Sequence, residues 1–448
     1  MNAQLAAAPA AAVPTAAIVT QGSRHLDVAD AIGCRLVRDA IWQGDHCNWL
    51  IWTKEPIAGA FHPVYRAAPN DIYLGTAGIA LFLAHLVRFT GDAQQRDTLH
   101  GAVQQMRRRL AQRKPEAFGF YNGSAGAAWA LAAIGAMEQR SDWTAEALAI
   151  LHRLPGEAAL ADQHDLISGK AGLAIALLSV GERFGDDALV TSGARIAAML
   201  AAEAQAGQGG SAWPNPDRSG PPLLGLSHGV SGMALALLEA DRLRPDRRLR
   251  DTAMAALRYE RRAFDTTQRN WPDYRPMPGM PAAAPRYPVA WCHGSTGIGI
   301  ARLRLLQLLP DDEQALGEID VAIGNAVQAL NVPMQPLTTD FTLCHGAAGN
   351  NDLLLSVAER FGRADALAAA QQVGDVLREL VHAHQLPWGC GVPDCGDSAS
   401  LLTGSAGIGL HYLRLHDCAA VPSPLYPCLP RDAAPAPPSP QPASSLTQ

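Results

Sequence analysis

Cysteine, lysine and long apolar runs are all scarce in this chain of 448 residues, and each scarcity removes a class of protein. Eight cysteines are too few for a disulfide scaffold. No apolar run reaches the roughly 18 residues that a membrane span needs. Lysine occurs only at Lys54, Lys114 and Lys170, and arginine supplies the rest of the positive charge, which reads as a genome habit. With a net charge of −6 and no basic stripe, nucleic acid is excluded as a partner. The first residues are Ala-rich, but they lack a basic leading region and are interrupted by Pro9 and Pro14, so they do not read as a secretory signal. The expected compartment is the reducing cytoplasm, where cysteines serve as metal ligands or nucleophiles.

What is present is a repeat. Gly-x-x-Gly followed by a mostly apolar stretch begins at Gly75, Gly123, Gly169, Gly229, Gly294, Gly346 and Gly404, at spacings of 46 to 65 residues. One such motif means little, but seven with matching downstream sequence are an architecture. The stretches that follow, such as GIALFLAHL and GLAIALLSV, are apolar nearly all round and read as buried helices. Between them lie amphipathic segments, Asp92–Arg113, Asp186–Ala204, Asp311–Leu330 and Arg363–His384, that read as helices with one wet face. Strand-like alternation is nearly absent. The alternation of buried and wet helices predicts an all-α fold, an α/α toroid of seven inner and seven outer helices. The glycines belong at the turn into each inner helix, where they tolerate unusual φ and let backbones approach closely. No strand precedes the motifs and no Lys-Ser/Thr follows, which speaks against a phosphate cradle.

Three segments fall outside the repeat. Residues 1–24 are low-complexity, and residues 419–448, rich in Pro, Ala and Ser, read as a disordered tail. The toroid domain is expected over 25–418. Residues 264–290 hold six prolines just ahead of a Cys-His pair. A loop of that length is usually functional, which places it at the rim of the active site.

Two turns carry Cys-His directly before the glycine: Trp291-Cys292-His293-Gly294 and Leu343-Cys344-His345-Gly346. The repeat puts both at one end of the barrel. Thiolate and imidazole suit Zn²⁺, which favours tetrahedral N/S coordination. Four ligands would make a closed structural site, whereas three would leave a position open for water or substrate. Residue spacing alone does not choose between them. His228, in GLSHGVSG, shares the register of His293 and His345 and is either a core histidine or a catalyst. Asp165, in HDLISGKAG, is either a helix cap or its partner.

Taken with the segments AWCHGSTGIGIARL, LCHGAAGNNDLLL, LLTGSAGIGL, GLSHGVSGMALALLEA and DLISGKAG, the chain resembles the lanthionine synthetase C-like proteins, the cyclases of lanthipeptide biosynthesis, over about residues 26–418. The resemblance implies an α/α toroid with one zinc ion, held by Cys292, Cys344 and His345. Its fourth position would take water or the cysteine thiolate of a peptide. It also implies an acid–base pair at His228 and Asp165. His293 stands where the family varies and is placed beside the metal rather than on it. Trp291 matches an aromatic before the first cysteine, and Arg286 is the nearest candidate for an arginine of the family's site. WCHG and LLTGSAGIG resemble the cyclase domains of bifunctional class II synthetases more than nisin-type cyclases. The chain is too short to include the dehydratase as well, so a separate dehydratase is expected to supply a dehydrated precursor peptide. The implied reaction is addition of a peptide cysteine thiolate to dehydroalanine or dehydrobutyrine. Two alternatives stand beside it: glutathione-type thiol addition to dehydroamino acids in proteins, and a zinc-containing scaffold without turnover.

Overall fold

A computed structural model describes residues 15–57, 60–112, 117–158, 162–207, 209–215, 220–275, 285–334, 339–384, 387–393, 395–427 and 429. In chain order, α1 (Thr15–Asp39) is followed by two hairpins, β1–β2 (Ile41–Gln43, His46–Asn48) and β3–β4 (Leu50–Ile57, Ala60–Ala67). Next come α2 (Thr76–Thr90), α3 (Ala93–Ala111), α4 (Ser124–Met137), α5 (Ser141–Leu151), the short α6 (Leu154–Ala158), α7 (Lys170–Phe184) and α8 (Asp187–Glu203). A third hairpin, β5–β6 (Gln205–Gly207, Gly210–Ala212), precedes α9 (Val230–Leu243) and α10 (Arg247–Arg262). The rest are α11 (Ser295–Leu308), α12 (Glu313–Leu330), α13 (Ala347–Phe361), α14 (Ala364–His384) and α15 (Ser405–His416). The three short hairpins are the only departure from an all-helical fold among the described residues.

The apolar helices α2, α4, α7, α9, α11, α13 and α15 are buried over most of their length and pack in that cyclic order, with α15 returning to α2. Six outer helices each follow and pack on an inner one: α3, α5, α8, α10, α12 and α14. The seventh comes from the other end of the chain, because α1 packs on α15. Each ring thus holds seven helices, and the N-terminal helix closes the barrel. Residues 15–24 of the low-complexity segment belong to this helix, whereas 1–14 lie outside the described residues.

Local chemistry sets the hairpin turns. Gly91, Gly185 and Gly362 end α2, α7 and α13 in the left-handed region, which glycine enters without steric cost. Asp92, Asp186, Asp246 and Asp312 cap the outer helices that follow, their carboxylates accepting from amides of the first turn. The motif glycines work differently from the expectation of unusual φ. Of the seven first glycines only Gly294 has a positive φ, at 94°. The common requirement is close approach. A Cβ on any second glycine, from Gly78 to Gly407, would lie 1.6–2.2 Å from the carbonyl oxygen six residues earlier. The turn folds back onto its own helix, and only glycine leaves the room.

A belt of hydrogen bonds ties these seven turns together at one end of the barrel. Tyr73 N donates to Tyr121 O (2.8 Å), Tyr121 N to Ile167 O (3.0 Å) and Leu166 N to Ser227 O (3.1 Å). The Ser227 hydroxyl donates to Cys292 O. Cys292 N then donates to Cys344 O (3.2 Å), Cys344 N to Leu402 O (2.9 Å) and Leu402 N back to Tyr73 O (3.0 Å). The belt closes on itself.

One expectation is corrected. The domain does not stop at 418, and residues 419–427 are not a free tail. Val421 and Leu425 are fully buried, and Tyr426 and Leu429 nearly so. Carbonyls of this strap accept from the barrel: Val421 O from Arg414, Pro424 O from the Tyr121 hydroxyl and Leu425 O from Trp291 Nε1. Ser423 and Tyr426 donate to Asp352 and Glu239. Residues 430–448 lie outside the described residues.

Candidate functional site

The repeat register brings distant residues together. Cys292 lies on the turn into α11, while Cys344 and His345 lie on the turn into α13. Their candidate ligand atoms all fall within 4.8 Å of one another. The glycine turn makes this possible, since adjacent residues on a helix would diverge by roughly 100°. Cys344 is buried and Cys292 half-buried. His345 Nε2 donates to Gly391 O and lies in ion-pair reach of Asp340 Oδ2, both at 3.1 Å. That leaves Nδ1 for the sulfurs, and carboxylate-supported imidazole is a common setting for metal-ligating histidine.

The electrostatics divide the two sulfurs: burial, then the neighbouring Cys292, pushes the Cys344 thiol well above its ordinary value, whereas Cys292 is favoured as the thiolate. Cys292 is held well below its ordinary thiol value, by hydrogen bonding from Cys344 and then from His345. Burial pulls His345 down, but the Cys292 thiolate and the Asp340 carboxylate outweigh it and lift it to about 9. Two sulfurs and one imidazole nitrogen, already pre-organised with an ionised thiol, could hold a metal ion and fit zinc by chemistry.

His293 does not join this group. It is buried, its Nδ1 lies 3.9 Å from Asp273 Oδ1, and burial plus the cationic Arg275 push it down to about 2. Its ring stacks on His228 at 5.6 Å between centroids and 16° between planes. His228 Nδ1 in turn lies 2.6 Å from Asp165 Oδ2. Asp165 also accepts from Ser168 N through Oδ1 (2.7 Å), which braces the turn ahead of α7. The helix cap itself is Gly169 with no side-chain hydrogen bond, so Asp165 lies as a partner of His228 and not as a helix cap. With Nδ1 engaged, Nε2 is the nitrogen His228 can offer to a substrate.

In the described part of the loop 264–290, Asp273 lies beside His293. Arg286 Nη2 donates to Asp273 Oδ2 (2.8 Å), and so reaches the site through Asp273 rather than directly. Arg275 grips the same carboxylate at 2.9 and 3.0 Å. Burial raises Asp273, but Arg275 and His293 prevail and keep it below the usual carboxylate value. Residues 276–284 of this loop lie outside the described residues. Trp291 is fully buried and meets Tyr121 edge-on at 5.0 Å, which fixes the start of the Cys292 turn.

Four residues near the site were not found from sequence: Tyr73, Asp273, Arg275 and Asp340. For Tyr73 the signal existed, since it stands two residues before Gly75, as Cys292 and Cys344 stand two before theirs.

The fold is an α/α toroid that carries a Cys₂His group and an Asp–His pair on its belt of turns. The chain belongs to the lanthionine synthetase C-like protein family, whose family model matches residues 66–425. It is 21% identical over 377 residues to the lacticin 481/lactococcin biosynthesis protein of Lactococcus lactis subsp. lactis. That alignment covers 82% of this chain but only 38% of the relative, so the chain spans well under half the length of that protein. Among solved structures, nisin cyclase superposes with a TM-score of 0.61 at 17% identity, over 79% of this chain and 90% of the other, a likeness of fold. Among the described residues no helix is long and apolar enough to cross a membrane.

Proposed function

We propose that the chain is a zinc-dependent lanthipeptide cyclase acting on a dehydrated precursor peptide made by a separate dehydratase. The observation that supports this reading is that the Asp165–His228 pair stacks on His293, the chain neighbour of Cys292 in the Cys292–Cys344–His345 group. Cys292, Cys344 and His345 would hold one zinc ion, and the chemistry it would supply is Lewis acidity that favours the ionised form of an incoming thiol near neutral pH.

The remaining chemistry belongs to the chain's own groups. As the peptide's thiolate forms a C–S bond to the β-carbon of dehydroalanine or dehydrobutyrine, the electron pair of the double bond moves to the enolate. His228 supplies a proton to the α-carbon from Nε2, and the proton released by the thiol balances the account. Asp165 fixes the tautomer and orientation of the imidazole. The product is a thioether ring.

The test uses a dehydrated peptide containing free cysteine, alkylated after reaction and weighed by mass spectrometry. The zinc-loaded chain should convert it to an alkylation-resistant product of unchanged mass. General acid catalysis typically contributes roughly 10²–10⁴-fold, so His228→Asn should slow ring closure by that factor while sparing zinc. Asp165→Asn should cost less, and the double variant should fall far short of additivity. Full activity in His228→Asn removes it from the mechanism. A wild-type chain that leaves every cysteine alkylatable overturns the reading as a whole.

A further inference from the structure

We infer that Tyr73 is a positioning residue for the metal group, its hydroxyl holding the Cys344 sulfur from across the belt of turns. The inference rests on the metal reading proposed above. Tyr73 lies on the turn into α2, 271 residues from Cys344, yet its hydroxyl oxygen is 2.8 Å from Cys344 Sγ. The backbone of both residues is fixed by the belt: Cys344 N donates to Leu402 O, and Leu402 N donates to Tyr73 O. The O–H···S contact therefore spans two rigid points rather than joining two mobile side chains.

The repeat explains why a tyrosine can reach. Tyr73, Cys292 and Cys344 occupy the same slot, two residues before the glycine, on different turns. From that slot a cysteine sulfur reaches only the centre of its own neighbourhood, whereas a phenol extends past the intervening Leu402 turn. Tyr121 fills the same slot on the next turn, but its hydroxyl donates to Pro424 O at 2.9 Å instead. The two tyrosines share backbone context, Tyr121 fully buried and Tyr73 partly so, and it is the Tyr73 hydroxyl that meets the Cys344 sulfur.

The chemical consequence follows from charge. Two cysteine sulfurs brought together, one of them buried, concentrate negative charge once both are ionised, and an O–H donor spreads that charge. It also limits the rotamers open to the Cys344 sulfur, so the ligand waits in place. Outer partners of metal ligands typically contribute roughly 10–100-fold in metal affinity.

The full-length chain stripped of metal and titrated with Co²⁺ provides the test, because thiolate-to-cobalt charge-transfer absorption reports on sulfur ligation. Tyr73→Phe should bind Co²⁺ and Zn²⁺ about 10–100-fold more weakly by chelator competition and shift the charge-transfer band. Tyr121→Phe, which removes a hydroxyl from the same slot, should leave affinity and band unmoved. A 3-fluorotyrosine at position 73 is nearly isosteric and a stronger donor, so it should move the band the opposite way even if Tyr73→Phe fails to fold. An unmoved band and wild-type affinity in Tyr73→Phe overturn the inference. So does a fluorotyrosine chain whose band matches wild type. A wild-type chain that takes up no metal overturns the metal reading and this inference with it. Uptake by wild type with no response at position 73 overturns this inference alone.

Discussion

Substituting Leu425 by alanine should destabilise the protein by about 2–5 kcal/mol, the range for a buried Leu→Ala change. A freely disordered tail would give no effect at all. Leu425 is fully buried, and the cost combines lost transfer free energy with the cavity left behind. Its backbone carbonyl still accepts from Trp291 Nε1, so the substitution removes packing without breaking that hydrogen bond. With an unfolding entropy of about 2.1 cal/mol/K per residue, a chain of 448 residues has roughly 0.9 kcal/mol/K. The shift in Tm should therefore be about 2–5 °C. Val332→Ala, at a side chain 60% exposed, serves as the control and should stay within about 0.5 kcal/mol.

A harsher version ends the chain after Ala420. The Trp291 indole N–H and the Tyr121 hydroxyl would then lose their acceptors, at about 1–3 kcal/mol each if water does not replace them. Because Trp291 adjoins Cys292, metal retention should fall along with stability. The assays are differential scanning calorimetry and zinc content after gel filtration. A Leu425→Ala chain that melts with wild type, or an Ala420 truncation with full zinc, would refute the docked strap.

Two further predictions can be checked on the same material. On the proposed zinc reading, Cys292→Ala and Cys344→Ala should each abolish zinc binding, while His293→Ala should keep most of it, since His293 faces Asp273 and His228. Equal loss in His293→Ala would mean a closed four-ligand site with no place for a substrate thiol. Burial lowers His411 to about 4, His85 to about 3 and His293 to about 2. Their unfolded counterparts take up protons near pH 6.5, so the unfolded state binds more protons below that pH, and stability is unaffected above it and falls beneath it. The slope should approach about 1.4 kcal/mol per pH unit for each histidine, measurable as urea midpoints between pH 7.5 and 5. A flat profile across that range would show that the three imidazoles are not held neutral.

Much of this was legible in the chain because a repeat writes its geometry many times over. The inner helices and the seven turns could be placed from glycine spacing, and Cys292, Cys344, His345, His228 and Asp165 could be placed with them by register alone. Tyr73 apart, which shares the register of Cys292 and Cys344, what escaped had no register to lean on. The strap from Val421 to Leu429 opens a stretch, 419–448, that is rich in Pro, Ala and Ser as a whole, and that average composition hides four apolar anchors. Its hydrogen bonds, moreover, use mainly backbone carbonyls, which leave no mark in sequence. Asp273 and Arg275 sit in a loop whose internal pairing depends on a tertiary fold-back to Arg286. The seventh outer helix was implied by counting, yet its source in α1 follows only from the closure of a ring, which brings the two ends of the chain together.

The belt of turns also separates stability from chemistry. Its links run almost entirely through backbone groups of one slot, and that slot carries Tyr73, Tyr121, Ile167, Ser227, Cys292, Cys344 and Leu402 on successive turns. Backbone donors and acceptors do not depend on side-chain identity, so the ring can close over any of these residues. Ser227 marks the exception, since its hydroxyl completes the one link between the fourth and fifth turns. The slot side chains are thereby released for packing at some turns and for ligation at others. This arrangement lets one architectural repeat hold thiols, an imidazole pair and a phenol within reach of each other, although the residues concerned are separated by up to 271 positions in sequence.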